Sequence, residues 1–272
     1  MSLYGQYAWV IGGAGTIGRG LCRGLLRAGA TVLVNSRNTD RLAALSEELG
    51  HPDRLIALHG SMLPGSSEKL THEVMEMTSG QLDHVVAHSG VQWWDKAGDE
   101  TSTLSSASRV LTMSTEEFAS AAVQLPLLHF EAARLLMPRL QGDGAGRPRS
   151  YTLVTGGTGG VSGVKGLAQI NAQALWGLSA ALQQEVAGVT VAEVRCEMQV
   201  DRTPDERSRS PRSSPLSHDL GSVVAGIAAN PVGAAAGLHA MTSVEDVAAL
   251  KARFPAQDDD YPQQEQEAVA AA

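Results

Sequence analysis

Apolar runs of four to six residues alternate along the chain with segments whose apolar positions recur at three- and four-residue spacing, so strands and amphipathic helices follow one another in turn. "YAWVI" reads as a strand, a glycine turn follows, and "IGRGLCRGLLRAG" repeats Ile17, Leu21, Leu25 and Leu26 at helical spacing. "TVLVNS" is a second strand, "TDRLAALSEELG" a helix capped by Thr39 or Asp40 and stopped by Gly50, and "RLIALHG" a third strand. "SSEKLTHEVMEMTSG" is helical and "LDHVVAHSGV" a fourth strand. "STEEFASAAVQLPLLHFEAARLLMPRL" is a long helix opened by a Ser114–Glu117 capping box, with Pro126 as a place to kink. "SYTLVTGG", "GLAQINAQALWGLSAALQQEV" and "VTVAEVRCEM" continue the alternation, and "SVVAGIAANPVGAAAGLHAM" reads as helix, turn and strand. In "GLAQINAQALWGL" the expected core face is Leu167, Ile170, Ala174, Leu175 and Leu178.

Single helices between strands imply right-handed crossovers, a parallel sheet and helices on both of its faces. The expected fold is therefore a Rossmann-type, doubly wound α/β domain of about seven strands, spanning residues 1–255 as a single domain. Two long segments, 92–113 and 201–219, interrupt the rhythm and are expected to overhang a ligand site. The acidic end, 256–272, is expected to be a disordered tail.

The 272 residues, 43% of them hydrophobic, suffice for one large core. A net charge of −8 gives no attraction to phosphate backbones or anionic lipid, so the expected ligand is a small molecule rather than nucleic acid or membrane. The apolar run near the end is broken by Asn230-Pro231, and the chain reaches its first strand too soon for a signal peptide; a cytoplasmic protein is expected. Cys22 and Cys196 have no paired spacing and read as buried small apolar residues. There is no GxSxG, HExxH or CxxC, and His84 and His88 on one strand stand about 13 Å apart, too far to share a metal.

"VIGGAGTIGRG" carries the most information. Following a strand and opening a helix, Gly12, Gly15 and Gly18 permit a tight turn and close approach of a pyrophosphate to the helix N-terminus, with Thr16 and Ile17 in its first turn. At the end of the second strand, where a carboxylate would select NAD(H), the chain has Ser36, Arg37 and Asn38, and no acid before Asp40. A guanidinium grips a 2′-phosphate with two donors, so NADP(H) is favoured.

From about Tyr7 to Met241 this arrangement resembles the short-chain dehydrogenase/reductase family. "GGAGTIG" resembles its glycine motif, with Thr16 in place of a further glycine, and "VLVNSRNTDRLAAL" its NADP-type strand and helix. "LDHVVAHSGV" is similar to the segment that usually ends Asn-Asn-Ala-Gly, with Ala87, His88 and Ser89 replacing the first three and Gly90 kept. Gln124 stands for the asparagine of the long helix, and Gly60 or Ser61 for the aspartate that meets adenine. The resemblance implies an NADP(H)-dependent oxidoreductase that assembles as a homodimer or homotetramer through its two long helices.

The proton-transfer half departs from the family. None of the four tyrosines, Tyr4, Tyr7, Tyr151 and Tyr261, is followed four residues later by lysine; Ala168 and Ala172 fall at the tyrosine and lysine positions, and Gly156 or Gly157 near the serine. Losing a positioned general acid costs about 3–5 kcal/mol, whereas orientation against a cofactor supplies roughly 7–11 kcal/mol. Reduction of an already activated, bulky substrate such as an iminium ion or enone, or a redox-neutral isomerisation or cyclisation, is therefore compatible with the sequence. So is a silent NADP(H)-binding or sensing protein. Candidate substitutes are His88, which is either a proton carrier or a histidine bonded to nearby backbone, and the neutral donors Gln124, Thr158, Gln169 and Asn171. Lys165 and Asp95 read as surface charges or site residues, Trp93 and Trp94 as ligand walls or loop anchors, and Trp176 as packing against a second subunit or the core.

Overall fold

The computed structural model describes residues 2–88, 111, 113–142, 147–156, 167–198, 200–201, 204–209, 214–230 and 233–256. Strands β1 (Tyr7–Ile11), β2 (Thr31–Ser36), β3 (Leu55–His59), β4 (His84–Ala87), β5 (Ser150–Gly156), β6 (Thr190–Cys196) and β7 (Gly237–Met241) form one sheet, ordered β3-β2-β1-β4-β5-β6-β7 and parallel throughout. This is the expected seven-stranded, doubly wound architecture.

Helices α1 (Thr16–Arg27), α2 (Thr39–Glu48), α7 (Ser217–Ala229) and α8 (Val244–Arg253) cover one face, where Leu21, Leu25, Leu45 and Val223 meet Val10, Val34 and Val194 of the strands. Helices α3 (Ser67–Met77), α4 (Thr115–Leu140) and α5 (Leu167–Glu185) cover the other, with Val74, Leu128, Leu136 and Leu182 packed against Trp9, Leu33, Val85 and Leu153. Burial on both sides explains why the strands read as continuous apolar runs and not as alternating ones. Cys22 and Cys196 are buried free thiols in the first of these cores.

Helix α7 lies directly on α1, backbone to backbone. A Cβ on Gly221 would stand 1.9 Å from the Gly20 carbonyl oxygen, and one on Gly20 would stand 1.9 Å from that of Ser217. Only glycine fits at this crossing, and the two helices hold each other in fixed register.

Several boundaries differ from expectation. The N-cap of α2 is Asn38, whose Oδ1 accepts from the Arg41 N–H at 2.9 Å, not Thr39 or Asp40. Ser114 and Glu117 form the expected capping box, but α4 continues through Pro126 to Leu140. The buried stripe of α5 is Asn171, Leu175 and Ser179, with Leu182 half-buried; Ile170 is 36% exposed, so it does not face the core. Within 201–219 the ends are tied together by a bridge between Asp201 and Leu216, and the Ser214 hydroxyl donates to the Asp201 carboxylate. A short helix α6 (Pro204–Arg209) follows Asp201, and α7 already begins at Ser217. The segment is thus partly regular structure. Residues 92–110 and 257–272 lie outside the described residues.

Candidate functional site

In an open parallel sheet, ligands bind beyond the carboxyl ends of the strands where the strand order reverses. Here that reversal falls between β1 and β4, where Ile11 pairs with Ala87 and the His88 N–H donates to the Ile11 carbonyl at 3.2 Å. The glycine turn leaves β1 at this point. Gly12 has φ of 76°, a left-handed conformation that favours glycine. A Cβ on Gly18 would stand 2.4 Å from the Gly13 Cα, so its absence lets the turn fold back onto α1. Gly15, by contrast, has nothing within 4 Å of where a Cβ would stand. It is the N-cap of α1, no side chain caps it, and the first turn carries no acidic residue. Exposed Thr16 and half-buried Ile17 begin the helix. Uncapped N–H groups with an open approach are the chemistry an anionic phosphate requires.

Beyond β2, the Arg37 and Asn38 carbonyls and the Asn38 N–H are engaged. The Asn38 N–H donates to Ser36 Oγ at 3.1 Å, the Leu42 N–H donates to the Asn38 carbonyl at 3.3 Å, and His59 Nε2 lies 3.2 Å from the Arg37 carbonyl. The Arg37 side chain is exposed and makes no hydrogen bond or ion pair among the described residues. The Ser36 O–H and Asn38 Nδ2 stand beside it as further donors. Deeper in the sheet, Trp9 Nε1 donates to Asn35 Oδ1 at 3.0 Å and Asn35 Nδ2 to the Gly60 carbonyl at 3.1 Å, tying β1, β2 and the end of β3 together. Ser61 Oγ accepts from the Leu63 N–H at 3.2 Å, leaving its own O–H free to donate.

His88 closes the end of β4 beside β5. Its imidazole is bonded to the Val154 backbone, and burial holds its pKa down to about 4. Its Nδ1 is buried without a hydrogen-bond partner among the described residues. Burial thus favours the neutral ring at pH 7. Gln124 is half-buried on α4 and Gln169 half-buried in the first turn of α5. Asn171 is 1% exposed, and its Nδ2 donates to the Ala121 carbonyl at 3.4 Å, between α5 and α4. Thr158, Ser89, Gly90, Trp93, Trp94, Asp95 and Lys165, and the side chain of Ala168, lie outside the described residues. Tyr151 is fully buried near the start of β5, Tyr7 begins β1 and Tyr4 is on the surface.

One cluster was not anticipated from the sequence. Glu193 and Arg195, two apart on β6, point to the same face beneath α5, with Arg195 Nε donating to Glu193 Oε1 at 2.8 Å. Thr155 donates to the same oxygen at 2.8 Å. The guanidinium stacks on Trp176, 3.8 Å from the ring centroid, and the indole N–H donates to the Gly156 carbonyl at 3.3 Å. Trp176 thus closes over the end of β5, one turn beyond Ala172. The available signal was a pair of opposite charges at two-residue spacing within an otherwise apolar strand.

A groove of about 420 Å³ lined by Gln183, Val186, Val189, Val191, Ala236 and Gly237 lies at the amino ends of β6 and β7, opposite this site. Among the described residues no group of three or more His, Cys, Asp or Glu is placed to hold a metal, and no helix is long and apolar enough to cross a membrane.

The doubly wound fold, with a glycine turn at its strand-order reversal, is shared with known proteins. Residues 6–123, somewhat under half of the chain, match the short chain dehydrogenase family. The fold is shared with the Pseudomonas aeruginosa RhlG/NADP active-site complex, at a TM-score of 0.65 and 18% identity, covering 84% of this chain and 91% of that one. It is shared also with a 3-ketoacyl-(acyl-carrier-protein) reductase from Brucella melitensis complexed with NADH, at 0.65 and 20% identity over 88% and 97% of the two chains. An alcohol dehydrogenase from the archaeon Thermococcus sibiricus complexed with 5-hydroxy-NADP scores 0.63 at 18% identity, over 87% and 95%. Among curated proteins, none matches the sequence.

Proposed function

We propose that this chain is an NADP(H)-dependent oxidoreductase of the short-chain dehydrogenase/reductase type that works without the family's Tyr-x-x-x-Lys pair. The observation that carries the cofactor is the end of β2, where the exposed Arg37 guanidinium has no partner among the described residues while the Arg37 carbonyl and the Asn38 N–H are both engaged. Gly15 and the uncapped N-terminus of α1 suit the pyrophosphate, and the solved relatives with NADP, 5-hydroxy-NADP or NADH bound support the same reading. When bound, the reduced nicotinamide supplies hydride.

The chain's own contribution is orientation. Gln124, Gln169 and Thr158 offer neutral donors to an oxygen or nitrogen of the substrate, while His88, held neutral, offers an acceptor. With no acid among these groups at neutral pH, the favoured substrates are bulky molecules already activated toward hydride, such as iminium ions or polarised enones, or substrates that are rearranged without net redox change. The buried, neutral His88 also favours a second reading, a silent NADP(H)-binding or sensing protein. On α4, Val123, Leu127 and Phe130 are 54%, 37% and 48% exposed, and they support assembly with a second copy of the chain.

The two readings separate on turnover. NADPH oxidation, or product formation at catalytic NADPH, is measured against carbonyl, iminium and enone panels. Activity toward iminium or enone substrates with little toward simple ketones is expected of the enzyme; binding of NADPH with no turnover on any panel overturns it in favour of the sensor.

A further inference from the structure

We infer that His59 is a positioning residue for recognition of the cofactor's 2′-phosphate, acting through the backbone of Arg37; this rests on the NADP(H) reading above. The β2–β3 register places Ser36 opposite His59 at the carboxyl ends of the two strands. The ladder continues one step further, with the Gly60 N–H donating to the Ser36 carbonyl at 3.0 Å. Arg37 lies past the end of that ladder and before Asn38, the N-cap of α2. Its carbonyl would be left to solvent, but the His59 imidazole reaches it from β3, with Nε2 at 3.2 Å.

A carbonyl accepts and does not donate, so Nε2 carries the proton in this contact. The bond fixes the plane of the peptide between Arg37 and Asn38. That plane sets both the direction in which the Arg37 side chain leaves the backbone and the Asn38 N–H that reaches Ser36 Oγ. Among the described residues His59 is the side chain that reaches the Arg37 backbone. The other two ties nearby, Trp9 to Asn35 and Asn35 to Gly60, hold the strands behind it. Removing the imidazole leaves the Arg37 charge in place and frees its attachment. An Arg37 side chain on a freer backbone then loses more freedom on gripping a phosphate than one whose peptide is fixed.

Titration calorimetry with 2′,5′-ADP and 5′-ADP tests this on the full chain without reference to turnover. The wild type is expected to prefer 2′,5′-ADP. His59→Ala is expected to weaken 2′,5′-ADP about fivefold, the worth of one hydrogen bond, with 5′-ADP binding and thermal midpoint unchanged. His59→Gln, whose amide also donates to a carbonyl, is expected to recover most of the preference. Unchanged 2′,5′-ADP binding in His59→Ala overturns the inference, and so does an equal loss of both nucleotides, which marks a merely structural role. A wild type that binds the two nucleotides equally overturns the NADP(H) reading itself, before any substitution is made.

Discussion

Lowering the pH from 8 to 5 is expected to cost this fold about 4 kcal/mol through two histidines that its sheet buries uncharged. His84, at the start of β4, is fully buried, with Nδ1 2.9 Å from Ser150 Oγ and Nε2 2.6 Å from Gln6 Oε1. Burial lowers its pKa from 6.5 to about 3, and that of His88 from 6.5 to about 4. Between 6.5 and those values the unfolded chain binds protons that the native chain does not, so stability is full above 6.5 and falls as the pH drops toward the folded values. At pH 5 the pH lies about 1.5 units below the unfolded value of 6.5, which is worth about 2 kcal/mol for each ring at 1.36 kcal/mol per unit. Burial lowers His218 and His239 in the same direction and steepens the slope. For Asp219, burial is outweighed by Lys251 and the Leu216 N–H, and its contribution disappears only below 3.8, outside this window. Urea unfolding followed by circular dichroism at pH 8 and 5 measures the difference, and His84→Gln is expected to remove about 2 kcal/mol of it. A stability that stays flat or rises on acidification refutes the buried, neutral assignment, as does a His84→Gln protein that keeps the full drop.

Two glycines on the α1 side separate packing from binding. Gly221→Ala drives a methyl into the Gly20 carbonyl and is expected to cost about 1–3 kcal/mol, lowering the thermal midpoint by roughly 2–12 °C. Gly15→Ala, facing open space, is expected to leave the midpoint within about a degree or two while weakening NADPH binding, since its methyl occupies the approach to the α1 N-terminus. Scanning calorimetry and NADPH titration check the pair, and equal effects of the two substitutions on stability contradict the assignment. Arg195→Ala, which strands buried Glu193, is expected to cost about 3–5 kcal/mol in denaturant unfolding, and the double change Glu193→Gln with Arg195→Met much less.

The scaffold was legible because it is written in patterns that local physics enforces. Apolar runs bounded by glycine and helices at regular spacing yield the seven strands, and the Ser114–Glu117 box marks the start of α4. Asn38 was missed as a cap because Thr39 and Asp40, both good cap residues, follow it directly, and only the backbone geometry decides among three adjacent candidates. Ile170 was assigned to the core because residue type outweighed phase. The buried stripe runs through polar Asn171 and Ser179, and Asn171 bonds to the Ala121 carbonyl. The glycine turn was readable from spacing, since Gly12 takes a left-handed φ and Gly18 leaves room for the Gly13 backbone, whereas Gly15 faces open space. The Arg195–Glu193–Trp176 cluster was not, because its members come from β6 and α5 and meet only once the helix is laid on the sheet.

Titration of the purified chain with NADPH and NADH, in the wild type and in Arg37→Glu, tests the central claim most directly. NADPH is expected to bind at least about tenfold more tightly than NADH in the wild type, from the charge-assisted contact at the end of β2, and Arg37→Glu is expected to abolish or reverse that preference. Binding of neither dinucleotide, or tighter binding of NADH that Arg37→Glu leaves unchanged, contradicts it.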